Sequence, residues 1–191
     1  MMNMKSNVVL IGMPGSGKST LGVLLAKVIG YSFTDTDLII SRRADKPLQQ
    51  ILDHDGLESF LCLEEAVGSE LDCDRTVIAT GGSMILSAQA MAHLRNIGTI
   101  VYIDVPLEEI TRRVKNIRTR GIVFRHNETL EDVYRIRAPL YAEYADMVVR
   151  VSPSADIEET VGHMAERLKI ASGKNKQNQD QAEKTWCRDF V

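Results

Sequence analysis

An α/β fold, a parallel sheet covered by helices on both faces, is what this chain of 191 residues predicts. Three observations carry that prediction. Short apolar, β-branched runs alternate with helical patterns along most of the chain. The runs are apolar on both alternating faces, as strands buried on two sides should be. The first run leads directly into Gly12-Met13-Pro14-Gly15-Ser16-Gly17-Lys18-Ser19-Thr20, which fits Gly-x-x-x-x-Gly-Lys-Ser/Thr, the phosphate-binding loop that joins a strand to a helix.

The elements follow in order. Asn7-Val8-Val9-Leu10-Ile11 reads as a buried strand, and Leu21, Leu24, Leu25 and Val28 recur at helical spacing across 18–29. A short strand lies near Phe33-Thr34. Helical patterns then run over 37–53 and 56–72, before a strand at Thr76-Val77-Ile78-Ala79. A helix over 87–96 leads to a strand at 99–105, and helices over 106–116 and 128–144 lead to a strand at 147–151. A last helix spans 156–170. One domain, 1–171, accounts for all of this. Beyond it, Gly173-Lys174-Asn175-Lys176-Gln177-Asn178-Gln179-Asp180-Gln181 is polar and aperiodic, so 172–191 reads as a disordered tail. Trp186 and Phe190 offer the alternative of a surface anchor at its end.

Composition bounds the partners. Hydrophobic residues make up 44% and charged residues 26%, the balance of a soluble globular domain large enough for one good core. A net charge of −3 gives no global attraction to nucleic acid or to an anionic membrane, so neither is expected as a partner. No apolar run reaches membrane-spanning length. Met1-Met2-Asn3-Met4-Lys5 runs straight into the first strand, with no room for a signal peptide. Cys62, Cys73 and Cys187 are odd in number and form no Cys-x-x-Cys pair, which reads as reduced thiols in a cytoplasmic protein. A monomer is the expected state.

The chemistry begins at the loop. Its glycines let successive backbone N–H groups turn inward, and the helix that starts near Gly17 adds its unpaired N–H groups and positive dipole end. Gly12, Gly15, Ser16, Gly17, Lys18, Ser19 and Thr20 are therefore the expected nucleotide-binding residues, with a nucleoside triphosphate as the ligand. Lys18 supplies a mobile charge near the β- and γ-phosphates, and Ser19 a hydroxyl for Mg²⁺. Thr34-Asp35-Thr36-Asp37 ends the second strand at the same edge of the sheet. Asp35 is expected to hold the water shell of Mg²⁺, and Asp37 to orient an acceptor hydroxyl and take its proton. Capping of the following helix is the competing explanation for these acids.

Ala79-Thr80-Gly81-Gly82-Ser83 ends the third strand. Its glycines permit a close backbone approach to a ligand, or simply a tight strand-to-helix turn. Between Glu109 and Glu128 the charges are all basic: Arg112, Arg113, Lys115, Arg118, Arg120 and Arg125. A run of one sign beside Gly121 suits a cover, about 112–126, that closes over phosphates and excludes water. An RNA-binding patch is the alternative, and the acidic balance and lack of interleaved aromatics weigh against it. Arg137, in Arg135-Ile136-Arg137-Ala138-Pro139-Leu140-Tyr141, has the planar fork to hold an acceptor carboxylate, unless it pairs with Glu131 or Asp132.

Together these motifs resemble the shikimate kinase family, over about 7–170. The phosphate loop, Asp35 with Asp37, Gly81-Gly82-Ser83, Arg120 and Arg137-Ala138-Pro139-Leu140-Tyr141 fall in the family's order. The resemblance implies a three-layer α/β/α sandwich, a P-loop kinase with a five-stranded parallel sheet in order 2-3-1-4-5. It implies transfer of the ATP γ-phosphate to the 3-hydroxyl of shikimate, a small-molecule acceptor. It further implies Asp35 serving Mg²⁺ through water, Asp37 and the backbone at Gly81 and Gly82 contacting the acceptor, Arg113 by the adenine, Arg120 as the lid residue reaching the phosphates, and Arg137 on the acceptor's carboxylate.

Three positions depart from the pattern. Leu61 stands where the family has an arginine that also grips the carboxylate, while its partner acid Glu64, one turn later at the acceptor site, is retained. Ser83 replaces a third glycine, and the lid reads Arg120-Gly121-Ile122-Val123. Loss of a buried, charge-assisted carboxylate contact at Leu61 is worth on the order of 2–5 kcal/mol. Phosphorylation of another small hydroxylated metabolite, or a nucleotide-sensing module without catalysis, are the readings that compete with shikimate.

Overall fold

The sheet grows outward from β1 (Asn7–Ile11), whose five residues are all buried. In the computed structural model, which describes residues 5–114, 123, 128–152 and 155–176 (side chains to 169), β1 pairs in parallel with β3 (Thr76–Ala79) on one side and β4 (Gly98–Asp104) on the other. The edges are β2 (Ser32–Asp35), beside β3, and β5 (Met147–Arg150), beside β4. The order is β2-β3-β1-β4-β5, all parallel, as the family resemblance implied. The register sets Asp35 level with Ala79, and Leu10 level with both Ala79 and Val101. The C-terminal ends of the first three strands therefore open at one edge.

The helices follow from the connections. The chain leaves β1 toward β2 through α1 (Lys18–Ile29) but leaves β3 toward β4 through α5 (Ala88–Ile97), in the opposite direction. Right-handed crossovers of opposite direction lie on opposite faces. Accordingly α1 packs with α8 (Ile157–Lys176), and α4 (Gly56–Glu70) packs with α5. The reversal of direction beside β1 makes the crevice in which open α/β sheets hold ligands.

The stretch expected as one helix over 37–53 is two: α2 (Thr36–Ala44) and α3 (Leu48–His54). Pro47 keeps Lys46 out of helical conformation, and Asp45 ends α2 in the left-handed region at φ 50°. A 3-10 turn, Met84–Leu86, precedes α5. The helix expected over 106–116 is the shorter α6 (Leu107–Arg113); 115–122 and 124–127, most of the expected cover, lie outside the described residues. α7 (Leu130–Tyr144) starts with a capping box in which Thr129 and Asp132 bond reciprocally. α8 runs past the expected boundary at 171 to Lys176, since a helix already formed adds residues at little cost, and 177–191 lie outside the described residues.

The interior has two parts. A large cluster built on Val9, Leu10, Ile78, Ile100, Val101 and Ile103 lies against the sheet. A small one, Ile40, Ile51, Phe60, Val67 and Val123, lies among α2, α3 and α4. The functional edge falls between them.

Candidate active site

The loop between β1 and α1 is shaped by what its residues lack. Gly12 has φ +146°, and a Cβ there would come within 2.7 Å of the Ile103 carbonyl oxygen, so only glycine fits. α1 begins with no side chain capping it and no acid in its first turn. Its leading N–H groups are therefore free for an anion. The Ser16 hydroxyl is buried and has no hydrogen-bond partner among the described residues. Lys18 is buried and folds back, Nζ donating to the Gly12 and Met13 carbonyls at 2.8 and 2.9 Å. Burial pushes its ammonium down to about 8, against the pull of Asp37 and Asp35. Uncapped amides at the start of α1, an orphaned hydroxyl and a desolvated cation all fit a polyphosphate, although the Ser16 N–H itself is taken by the Met13 carbonyl at 3.1 Å.

Beside the loop, the Ser19 hydroxyl donates to Asp35 Oδ2 at 2.6 Å. Asp35 Oδ1 accepts the Asp37 N–H at 3.0 Å and caps α2. The capping explanation and the metal-site expectation thus describe two oxygens of one carboxylate. Among the described residues no group of three or more His, Cys, Asp or Glu is placed to hold a metal ion. A serine with one carboxylate leaves most of a cation's shell to water and phosphate, a set that suits Mg²⁺.

Across the cleft stand Asp37, Glu64 and Arg137. Burial and the neighbouring Asp35 push the Asp37 carboxyl up to about 6, with Lys18 pulling the other way. Glu64 is 2% exposed, and neither of its oxygens has a hydrogen-bond partner among the described residues. Burial pushes it up to about 7; the Ser83 hydroxyl is near enough to oppose the shift but makes no hydrogen bond to it. Arg137 is buried, with Nη2 donating to the Val123 carbonyl at 2.8 Å and Nη1 without a partner among the described residues. It does not pair with Asp132, which binds Arg135 instead.

Gly81 lies behind the acids. A Cβ on it would run into both Glu64 Oε1 and Asp37 Oδ1, and its N–H already donates to Thr36 Oγ1 at 2.9 Å. Gly82 is the glycine that faces the cleft, and its carbonyl accepts the Tyr141 hydroxyl at 2.6 Å.

One cleft of about 720 Å³ joins these groups. Gly15, Ser16, Gly17, Lys18, Ser19, Thr20 and Arg113 line it on the loop side, and Asp37, Glu64, Gly82 and Arg137 on the other. Gly12, Asp35 and Gly81 are not part of its wall; they back residues that are. Arg113 donates to the Ser16 carbonyl at 3.4 Å and is held by Glu109, whose carboxyl Arg112 and Arg113 pull down to about 2. These two arginines are thus ion-paired members of α6, at the start of the expected cover. Arg120 lies outside the described residues. Leu61 does not line the cleft; it is half-buried against the small cluster.

Sequence reasoning took Val123 only as a lid position, and gave no role to Phe60 or to Val151, Ala155, Ile157 and Thr160, all of which line the cleft. The position of Val151-Ser152 just after a fifth parallel strand was the available signal, since the loop after that strand opens at the same edge. No helix among the described residues is long and apolar enough to cross a membrane.

Comparison with known proteins points to the family that the sequence motifs resemble. The family model described as shikimate kinase matches residues 14–169. A shikimate kinase of Microcystis aeruginosa is 42% identical over 149 residues, 76% of this chain and 77% of the relative. One of Paracidovorax citrulli is 36% identical over 167 residues, 85% and 91% of the two chains. The structure of shikimate kinase from Acinetobacter baumannii in complex with shikimate superposes with a TM-score of 0.76 at 29% identity, covering 92% of this chain and 97% of that one.

Proposed function

This chain belongs to the shikimate kinase family, and from that premise we propose that it transfers the γ-phosphoryl group of ATP to the 3-hydroxyl of shikimate. The observation that carries the proposal is the single cleft in which Lys18 and the loop amides face Asp37 and the free Nη1 of Arg137. Phosphate donor and hydroxyl acceptor can meet there with water excluded.

MgATP supplies the phosphoryl group and neutralises charge on it. The chain does the rest. Amides of Gly15, Gly17, Lys18, Ser19 and Thr20 bind the phosphate chain, joined by the Ser16 hydroxyl. Lys18 exchanges the Gly12 and Met13 carbonyls for phosphate oxygens, which restores to a buried ammonium a fully charged partner. Ser19 and Asp35 would hold Mg²⁺. Asp37 orients the acceptor hydroxyl and accepts its proton, a task suited to a carboxyl held near neutrality. Arg137 Nη1 holds the acceptor carboxylate, and Gly82 borders the acceptor. Arg113 borders the nucleotide, and the apolar wall of Val151, Ala155 and Ile157 receives the base. Arg120, within a cover at about 112–126, is assigned to the phosphates by the family resemblance. A cytoplasmic monomer acting on small molecules completes the reading.

ADP release with ATP, Mg²⁺ and shikimate tests it directly. A shikimate-dependent rate is expected, and Lys18→Ala should lower kcat by on the order of 10²–10³-fold. Turnover only with another alcohol, or ATP binding without turnover, would defeat the assignment.

A further inference from the structure

The least satisfied group in the cleft is Glu64. It is nearly inaccessible, both its oxygens lack partners among the described residues, and it lines the same cavity as Asp37 and Arg137. Its own helix offers it no counter-charge: α4 contains no Lys, Arg or His, and one turn back Leu61 packs into the small cluster. From other elements Asp37 on α2, Lys18 on α1 and Arg137 on α7 act on it, with the Ser83 hydroxyl nearby. Of the two cations, Lys18 is committed to the loop carbonyls, and Arg137 turns one nitrogen to Val123.

Three needs therefore converge on one small space. Asp37 and Glu64 approach each other over Gly81, and Arg137 Nη1 requires an acceptor. A carboxylate brought in by the acceptor satisfies Arg137. It also adds a negative charge beside Glu64, which disfavours the ionised form of a buried acid. A protonated carboxyl has one O–H to give, where an ionised one can only accept. Burial already holds Glu64 near neutrality before anything binds.

We propose that Glu64 binds the acceptor directly as a neutral carboxylic acid, donating its O–H to the acceptor's carboxylate next to Arg137 Nη1, and that acceptor binding draws this proton from solvent. Two donors, one charged and one neutral, then serve the two oxygens of the carboxylate. The proposal rests on the reading above that the acceptor is an acid phosphorylated in this cleft. It makes Glu64 a specificity-determining residue: an acceptor whose carboxylate is replaced by a neutral amide gains nothing from the proton.

Calorimetric titration of the whole enzyme with shikimate, in buffers of different ionisation enthalpy at pH 8, counts the protons. Uptake of close to one proton is expected, with affinity falling about tenfold per pH unit above neutrality. In Glu64→Gln, which cannot titrate, uptake should vanish and affinity should become flat with pH. Absence of uptake in the unmodified enzyme overturns the proposal without any variant. So does equal uptake in Glu64→Gln, which would assign the proton to another group such as Asp37. Both results leave the kinase reading intact, whereas failure to phosphorylate shikimate at all defeats that reading and the proposal together.

Discussion

Glu64 and Asp37 make the protein's stability depend on pH in a defined window. Both carboxyls sit above their ordinary values of 4.5 and 3.8, at about 7 and about 6. Between those limits the folded state holds more protons than the unfolded chain, so stability falls as pH rises from about 4 to 7. For Glu64 the loss is on the order of 3 kcal/mol, at 1.36 kcal/mol per pKa unit. Glu109 acts in a lower window, since its stabilising effect fades only as pH drops toward 2. Thermal unfolding of the ligand-free protein at pH 4.5 and 7.5 should show a decline that is clearly smaller in Glu64→Gln. At Leu61, the i,i+3 neighbour of Glu64 on α4, an arginine would restore the missing cation. Leu61→Arg should raise kcat/KM for shikimate by roughly 30-fold or more, the lower end of the ~2–5 kcal/mol that a second charge-assisted contact to the carboxylate supplies. It should also lower the melting temperature, because the small cluster loses an apolar neighbour. An unchanged kcat/KM would show that the vacancy at position 61 is not felt by the acceptor.

Among the elements, α7 links the acceptor site to the core. Arg137 and Tyr141 lie one turn apart on it, both buried. The Tyr141 ring stacks on Tyr102 of β4 at 5.3 Å, and its hydroxyl fixes the Gly82 carbonyl. Tyr141→Phe keeps the stack and leaves that carbonyl without its donor, at a cost of about 1–3 kcal/mol. The melting temperature should fall by roughly 2–4 °C per kcal/mol. KM for the acceptor should rise more than kcat falls, since the turn bordering the acceptor loosens while the phosphate loop does not; equal effects on both would locate the defect elsewhere. The split of α2 from α3 was legible, since Pro47 is a helix boundary by its chemistry, but the apolar residues on either side of it, Ile39, Ile40, Ile51 and Leu52, suggested one helix over 37–53. The end of α6 carried no such mark, because Arg113 and Val114 suit a helix as well as a loop.

At the scale of the molecule, the phosphate loop springs from the large cluster, whereas α2, α3 and α4 rest on the small one. Fewer buried contacts mean cheaper local opening. Amide exchange should be faster in α2 and α3 than in β1 and β4, and bound shikimate should slow it selectively in α2 to α4; uniform protection throughout would argue that the two clusters open as one. By itself the sequence determined the strands, the phosphate loop, the acidic pair after β2 and the arginine of α7. Each of these is written in local spacing: a periodicity, a glycine pattern, a strand's end. Only the tertiary structure decided that Glu64, Asp37 and Arg137 converge without satisfying one another, that Gly82 and not Gly81 faces the cleft, and that Val151, Ala155 and Ile157 wall its far end. The physical reason is that a hydrogen bond left unmade belongs to no single segment; it exists only once separate crossovers have carried their side chains to one edge and closed the water out.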